Sequence, residues 1–97
     1  MPIRDPRPQQ QSAETVAIQA LGWIAADEDR LGRFMGLAGL SVDELRARAA
    51  EPEFLGGVLD FVLENEALLV EFAAVADLKP DAVLRLRRQL PGAPVWE

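Results

Sequence analysis

Very few side chains of this sequence could take part in chemistry. The chain contains no histidine, cysteine or tyrosine, so the commonest general acids, bases and nucleophiles of enzymes are missing. Its only hydroxyl side chains are Ser12, Thr15 and Ser41, and its only lysine is Lys79. The hydroxyl residues stand where helices are expected to begin, which explains them without catalysis. We therefore expect no enzymatic activity.

Carboxylates are the remaining candidates. Asp27, Glu28 and Asp29 follow one another in "ADEDR", and Glu64 and Glu66 lie close together further along. Such groups can bind Mg²⁺ or Ca²⁺, but neither the spacing of a calcium-binding loop nor a paired Glu-x-x-His motif is present. We interpret both groups as acidic helix starts, which the helix dipole favours. No cofactor or metal is expected, and a carboxylate-based metal- or ligand-binding domain stays an alternative.

Charge argues against a nucleic-acid partner. The net charge is −6 at pH 7, which repels a phosphate backbone. The stretch "GLSVDELRARA" (39–49) could form the turn and second helix of a helix-turn-helix, but Asp43 and Glu44 occupy the first helical turn. A small basic patch is predicted in the last helix: Arg85, Arg87 and Arg88. We expect no nucleic-acid binding, and a helix-turn-helix DNA-binding protein stays an alternative.

The elements that must carry these residues are helices. Apolar residues recur at helical spacing, as in Val16, Ala20 and Ile24. Helix starts are indicated by Ser12, Asp27, Asn65, the capping-box pattern Ser41–Glu44, and two prolines that suit a first helical turn, Pro52 and Pro80. The predicted helices are about 13–26, 27 to 36 or 39, 41–50, 52–64, 65–77 and 80–89.

The chain resembles itself when it is shifted by 38 residues. Leu21 then meets Leu59, Phe34 meets Phe72, and the turn "LAGLSVDEL" (37–45) meets "VADLKPDAV" (75–83). The sequence therefore predicts an all-α, compact six-helix bundle made of two pseudo-repeated three-helix units, about 16–49 and 54–87. Leu40 and Leu78 are expected to be buried at the repeated turn.

The same features suggest the domain organisation. We expect a disordered tail over 1–11, a single helical domain over 12–90, and a Pro/Gly-containing tail over 91–97. No apolar run reaches the 18 or more residues of a membrane span, so no membrane association is expected. Without an apolar leader or cysteines, the expected location is cytoplasmic.

Two stretches also point to a known family. "AIQALGWIAADEDRLGRF" (17–34) and "LDFVLENEALLVEF" (59–72) resemble domain-of-unknown-function family 3572, and the resemblance extends over about 12–90. It implies an all-helical bacterial cytosolic protein and supplies no catalytic residues.

A partner surface is suggested by the mismatches between the two units. Arg30 aligns with Leu68 and Arg46 with Leu84, so the second unit is apolar where the first is charged. Something should cover these apolar residues: the tail or neighbouring helices, which we favour, or else a partner or a second copy. We expect Trp96 to pack against Leu84 or its neighbours, and the candidate partner surface is Leu68, Leu84, Arg85, Arg88 and Trp96.

The function predicted from the sequence is therefore an interaction or regulatory adaptor module. We expect it to act as a monomer or a weak homodimer, with an unidentified protein as its partner.

Overall fold

Six α-helices make up the fold in a computed structural model, which describes residues 12–92. They are α1 (Ala13–Ala25), α2 (Glu28–Ala38), α3 (Val42–Arg48), α4 (Pro52–Leu63), α5 (Glu66–Ala76) and α6 (Pro80–Arg87). The described residues contain no strand, which confirms the predicted all-α bundle. The N-terminal tail over 1–11 and Trp96 lie outside the described residues.

The core is built around the pair α1 and α4, which have the most extensive contact in the fold. Helix α4 is apolar on most of its circumference, because Leu55, Val58, Leu59, Phe61 and Val62 are all buried. Helices α5 and α6 pack on both members of this pair. They add Phe72 and Val83, which are completely inaccessible to solvent.

The helix starts agree with the predicted caps. The side chains of Ser12, Asp27 and Asn65 each accept a hydrogen bond from a backbone N–H in the first turn. At α3 the capping box is complete, with Glu44 N–H donating to Ser41 Oγ at 3.2 Å and Ser41 N–H donating to Glu44 Oε1 at 2.9 Å. Each bond satisfies an N–H that has no partner within the helix.

The backbone at the ends of α2 and α5 has the same form. Gly39 and Asp77, 38 residues apart, both adopt the left-handed conformation, with φ of 68° and 59°. In the residue that follows each, the backbone N–H donates to the carbonyl oxygen five residues earlier, as in a Schellman turn. Local structure thus repeats at the predicted interval, and the internal duplication itself stays a prediction.

The third helices of the two predicted units pack differently. Helix α6 contacts α1, α4 and α5, and Val83 and Arg87 are buried in it. Helix α3 has no buried residue; Leu45, the counterpart of Val83, is only half-buried. The first unit therefore remains open where the second is closed.

The expectation that Leu40 and Leu78 are both buried is wrong. Both side chains are half-buried. Leu78 packs against the core, as α6 folds back over the turn that carries it. Leu40 instead borders an open groove, because α3 does not fold back in the same way.

Candidate functional site

A groove of about 410 Å³ lies between α4 on one side and α2 with α3 on the other. Its uncharged lining consists of Phe34, Leu37, Ala38, Leu40, Phe54, Gly57 and Phe61. Its charged lining consists of Arg48, Glu53, Asp60 and Glu64. This volume falls within the range of ligand pockets, about 300–1,000 Å³.

Three aromatic rings lie at the base of the groove: Phe34 and Phe61 are core residues, 4% and 7% exposed, and Phe54 is half-buried. The ring of Phe34 on α2 meets those of Phe54 and Phe61 on α4 edge-on, with centroids 5.9 and 5.3 Å apart. Aromatic pairs prefer such T-shaped contacts, so this cluster fixes the position of α2 on α4. Beside it, Leu37 has 74% of its surface exposed. The groove thus offers apolar surface that no described part of the chain covers.

Gly57 leaves room in the wall formed by α4. A Cβ atom placed on it would have no neighbour within 4 Å, whereas one on the adjacent Gly56 would lie 3.0 Å from both Arg87 Cζ and the Pro91 carbonyl oxygen. The two glycines therefore differ in the space around them. Gly56 permits the close approach of α6 and the segment after it, and Gly57 deepens the groove.

An ion pair lies behind the groove and ties α6 to α4. Arg87, only 3% exposed, donates from Nε and Nη2 to the two carboxylate oxygens of Asp60 at 2.7 and 3.1 Å. Its Nη1 donates to the carbonyl oxygens of Leu90 and Pro91, both at 3.2 Å. Such a bidentate pair is directional as well as strong. One face of Asp60 thus borders the groove while its charge is matched from behind.

The residues that correspond to this ion pair explain why α3 stays apart. Shifting back by 38 residues places Ala49 at the position of Arg87 and Gly22 at that of Asp60. Neither can form an ion pair, so α3 lacks the polar connection that holds α6 to its neighbour. The missing connection is one between α1 and α3, and the groove lies on the other side of α3, against α4.

The rim of the groove carries unequal charge on its two sides. Glu53 and Glu64 are exposed on α4, and Arg48 is exposed on α3. Within residues 12–92, none of these three side chains forms an ion pair. The α4 side is therefore acidic, whereas the α3 side presents Arg48, whose charge also attracts Glu44 one turn earlier in α3.

The partner surface predicted from the sequence does not form one exposed patch. Leu68 is 7% exposed and belongs to the core, so its proposed role on the surface is wrong. Leu84 is half-buried, Arg85 and Arg88 are exposed, and Trp96 lies outside the described residues. The neighbouring helices cover Leu68, because α5 packs on α1 and α4 as well as on α6.

Arg30, the counterpart of Leu68, packs against the chain itself. Its guanidinium lies 4.0 Å from the centre of the Trp23 ring, and its Nη2 donates to the Trp23 carbonyl oxygen at 2.7 Å. The Arg30 side chain is only 20% exposed. A cation–π contact and a hydrogen bond thus hold it at the corner between α1 and α2, rather than in solvent.

The predicted basic patch on α6 is reduced by local pairing. Arg87 is buried in its ion pair with Asp60, and Arg85 Nη1 donates to Asp81 Oδ2 at 2.9 Å on the exposed side of the helix. The interpretation of Arg87 as part of a surface patch is therefore wrong.

The acidic stretch "ADEDR" caps a helix. The backbone N–H groups of Arg30 and Asp29 donate to Asp27 Oδ1 at 3.0 and 2.8 Å, and the hydrogen bond from Arg30 is the main reason that the pKa of Asp27 is lowered. Across residues 12–92, no three carboxylates come together as a set that could hold a metal ion. The sequence interpretation of this stretch as a helix start agrees with its geometry.

The groove itself was missed in the sequence reasoning. The available signal was the replacement of Asp60 and Arg87 by Gly22 and Ala49 in the other unit, since it marks the third helix that has no ionic connection to its neighbour.

Within the described part of the chain, no helix combines the length and the apolar character needed to cross a bilayer.

Comparison with known proteins gives a match to a family model. A family model described as "Protein of unknown function (DUF3572)" matches residues 10–93, in agreement with the resemblance noted in the sequence. Neither the curated proteins nor the solved structures provide a match.

Proposed function

The chain belongs to the DUF3572 family of proteins of unknown function, and we propose that it is a non-enzymatic interaction module that binds an amphipathic helix of a partner protein. The groove between α2, α3 and α4 is the binding site in this proposal. A cytoplasmic location is part of it, in keeping with a chain that contains no cysteine.

The observation that carries the proposal is the open groove beside α3, the helix that packs least closely on the core. In the second unit, α6 contacts α1, α4 and α5 and buries Val83 and Arg87. In the first unit, α3 has no buried residue, and Leu37 and Phe54 line an open groove beside it. An apolar groove between helices is a common site for the apolar face of another helix. A partner helix here would complete the packing that α3 leaves unfinished.

A catalytic use of the groove is less well supported by its chemistry. Asp60 is engaged by Arg87, and Glu53 and Glu64 stand eleven residues apart on α4, about 16 Å along the helix axis. These two glutamates are too far apart to act on one bond, since paired catalytic carboxylates lie within about 10 Å. Binding through shape and apolar surface is the simpler use.

The test is binding of a synthetic amphipathic helical peptide with leucine along one face and glutamine along both edges, followed by NMR. We expect shift changes to concentrate in α2, α3 and α4. Gly57→Leu should place a side chain in the groove and weaken binding by about tenfold or more, since a Cβ atom at this position meets no atom within 4 Å. Gly22→Leu is the matched control, because Gly22 is an exposed helical glycine with equally open surroundings outside the groove.

Two outcomes would contradict the proposal. One is equal binding to the wild type and to Gly57→Leu, which would place the peptide elsewhere. The other is dimerisation of the wild type that Gly57→Leu abolishes, with no peptide binding, which would make the groove an interface between two copies of the chain.

A further inference from the structure

We infer that the helix bound in the groove is basic along the edge that faces α4; this inference rests on the proposed function and specifies its partner. The partner helix would present its apolar face to Leu37, Leu40 and Phe54, the accessible apolar residues of the groove. It would present two lysine or arginine side chains, about three turns apart, to Glu53 and Glu64.

The spacing of the two glutamates supports this inference. Glu53 lies in the first turn of α4 and Glu64 is its C-cap residue. Eleven residues of an α-helix correspond to three turns plus about 20°, so both carboxylates lie near the same side of α4, at the two ends of the groove. A partner helix lying along α4 would meet one carboxylate at each end.

The carboxylate that lies between these two glutamates already has an ion-pair partner. Asp60 lies on the same wall, but Arg87 binds both of its carboxylate oxygens. The groove therefore has an acidic residue at either end and a compensated carboxylate between them. A basic partner would pair with the ends and place its apolar residues against the middle.

The charge on the α3 side of the groove distinguishes the two edges of a bound helix. Arg48 on α3 is exposed beside the acidic wall. A helix with basic residues on both edges would bring one of them close to Arg48, and repulsion between like charges disfavours that arrangement. The bound helix should thus be basic towards α4 and neutral or acidic towards α3.

Three peptides with one apolar face test the charge requirement. Leucine stands at positions i, i+4, i+7 and i+11, and one edge carries two lysines, two glutamates or two glutamines eleven residues apart. Exposed ion pairs contribute little individually, so we expect the lysine peptide to bind about 2- to 30-fold more tightly than the glutamine peptide at low salt. The glutamate peptide should bind most weakly, and added salt should reduce the differences.

Variants of the protein separate a local charge effect from a global one. Glu53→Gln combined with Glu64→Gln should remove the preference for the lysine peptide. Glu66→Gln combined with Glu71→Gln is the matched control, as these exposed glutamates lie on α5, change the net charge equally, and include one first-turn residue, like Glu53. The control should keep the preference.

The outcomes distinguish the two proposals. If all three peptides bind equally well and Gly57→Leu blocks them, the groove binds helices but the partner is not selected by basic charge, and this inference is wrong. A loss of preference in both double variants would also overturn it, because the attraction would then come from net charge. If no peptide binds, the proposed function fails first.

Discussion

Gly56 and Gly57 are neighbours in α4, yet alanine at the two positions should change the free energy of unfolding in opposite directions. Alanine is favoured over glycine within a helix by about 1 kcal/mol. At Gly57 nothing opposes this gain, because a Cβ atom meets no atom within 4 Å. We expect Gly57→Ala to stabilise the protein by about 0.5–1 kcal/mol.

At Gly56 the surroundings oppose the same gain. The added Cβ would lie 3.0 Å from the Pro91 carbonyl oxygen and from Arg87 Cζ. The oxygen belongs to the backbone, and Arg87 is held by Asp60, so neither can move freely. Overpacking costs about 1–3 kcal/mol, and weakening one charged hydrogen bond costs about 1.5–3 kcal/mol. Set against the helix gain of about 1 kcal/mol, these costs leave an expected net loss of about 1.5–5 kcal/mol.

Urea denaturation followed by circular dichroism measures both effects. With a slope of about 1–3 kcal/mol per molar urea, the midpoints of the two variants should move apart by at least about 0.7 M. If Gly56→Ala raises the midpoint as much as Gly57→Ala does, the Arg87 region adapts readily, and the view that α6 is fixed by close packing on Gly56 is refuted.

Three further predictions use the same structure. Arg87→Met should destabilise the protein by about 2–5 kcal/mol in urea denaturation, because Asp60 loses its partner; a change below 1 kcal/mol would show that water replaces the ion pair at little cost. Leu40→Ala should cost about 1–2 kcal/mol and Leu78→Ala more, since only Leu78 packs on the core; equal losses would contradict the open first unit. The capping-box backbone N–H lowers the pKa of Glu44 below 4.5, so the stability that this carboxylate contributes is present above about pH 4.5 and is lost as pH falls through its folded-state pKa; an NMR titration with an unshifted midpoint would contradict this.

The local structure could be predicted because its causes lie close together in the chain. A cap involves a side chain and a backbone N–H two or three residues away, as in Asp27 with Asp29 and Arg30. The end of α2 was expected at Gly36 or Gly39, and Gly39 is the C-cap residue, in the left-handed conformation. The repeat interval then located the corresponding turn at Asp77, even though aspartate is a less obvious residue there.

The candidate site could not be predicted in the same way, because it depends on contacts between distant residues. Asp60 and Arg87 are 27 residues apart and on different helices. Treating the two units as equivalent led to an exposed patch at Leu68, but α5 packs more extensively than α2 does and buries that residue. The alignment of the two units does pair Ala49 with Arg87. That this difference removes an ion pair between helices is seen only in the packed structure.

The loose attachment of α3 should also affect the rate at which its amide protons exchange with solvent. Opening of α3 exposes only the half-buried Leu45 and no fully buried residue. Its amide protons should therefore exchange with deuterated solvent through local opening, far faster than those of α4. Exchange in α4 requires separation from α1 and hence unfolding of the whole core. An occupant of the groove would contact both helices, but it would slow exchange most in α3, whose amide protons would therefore report occupancy of the groove.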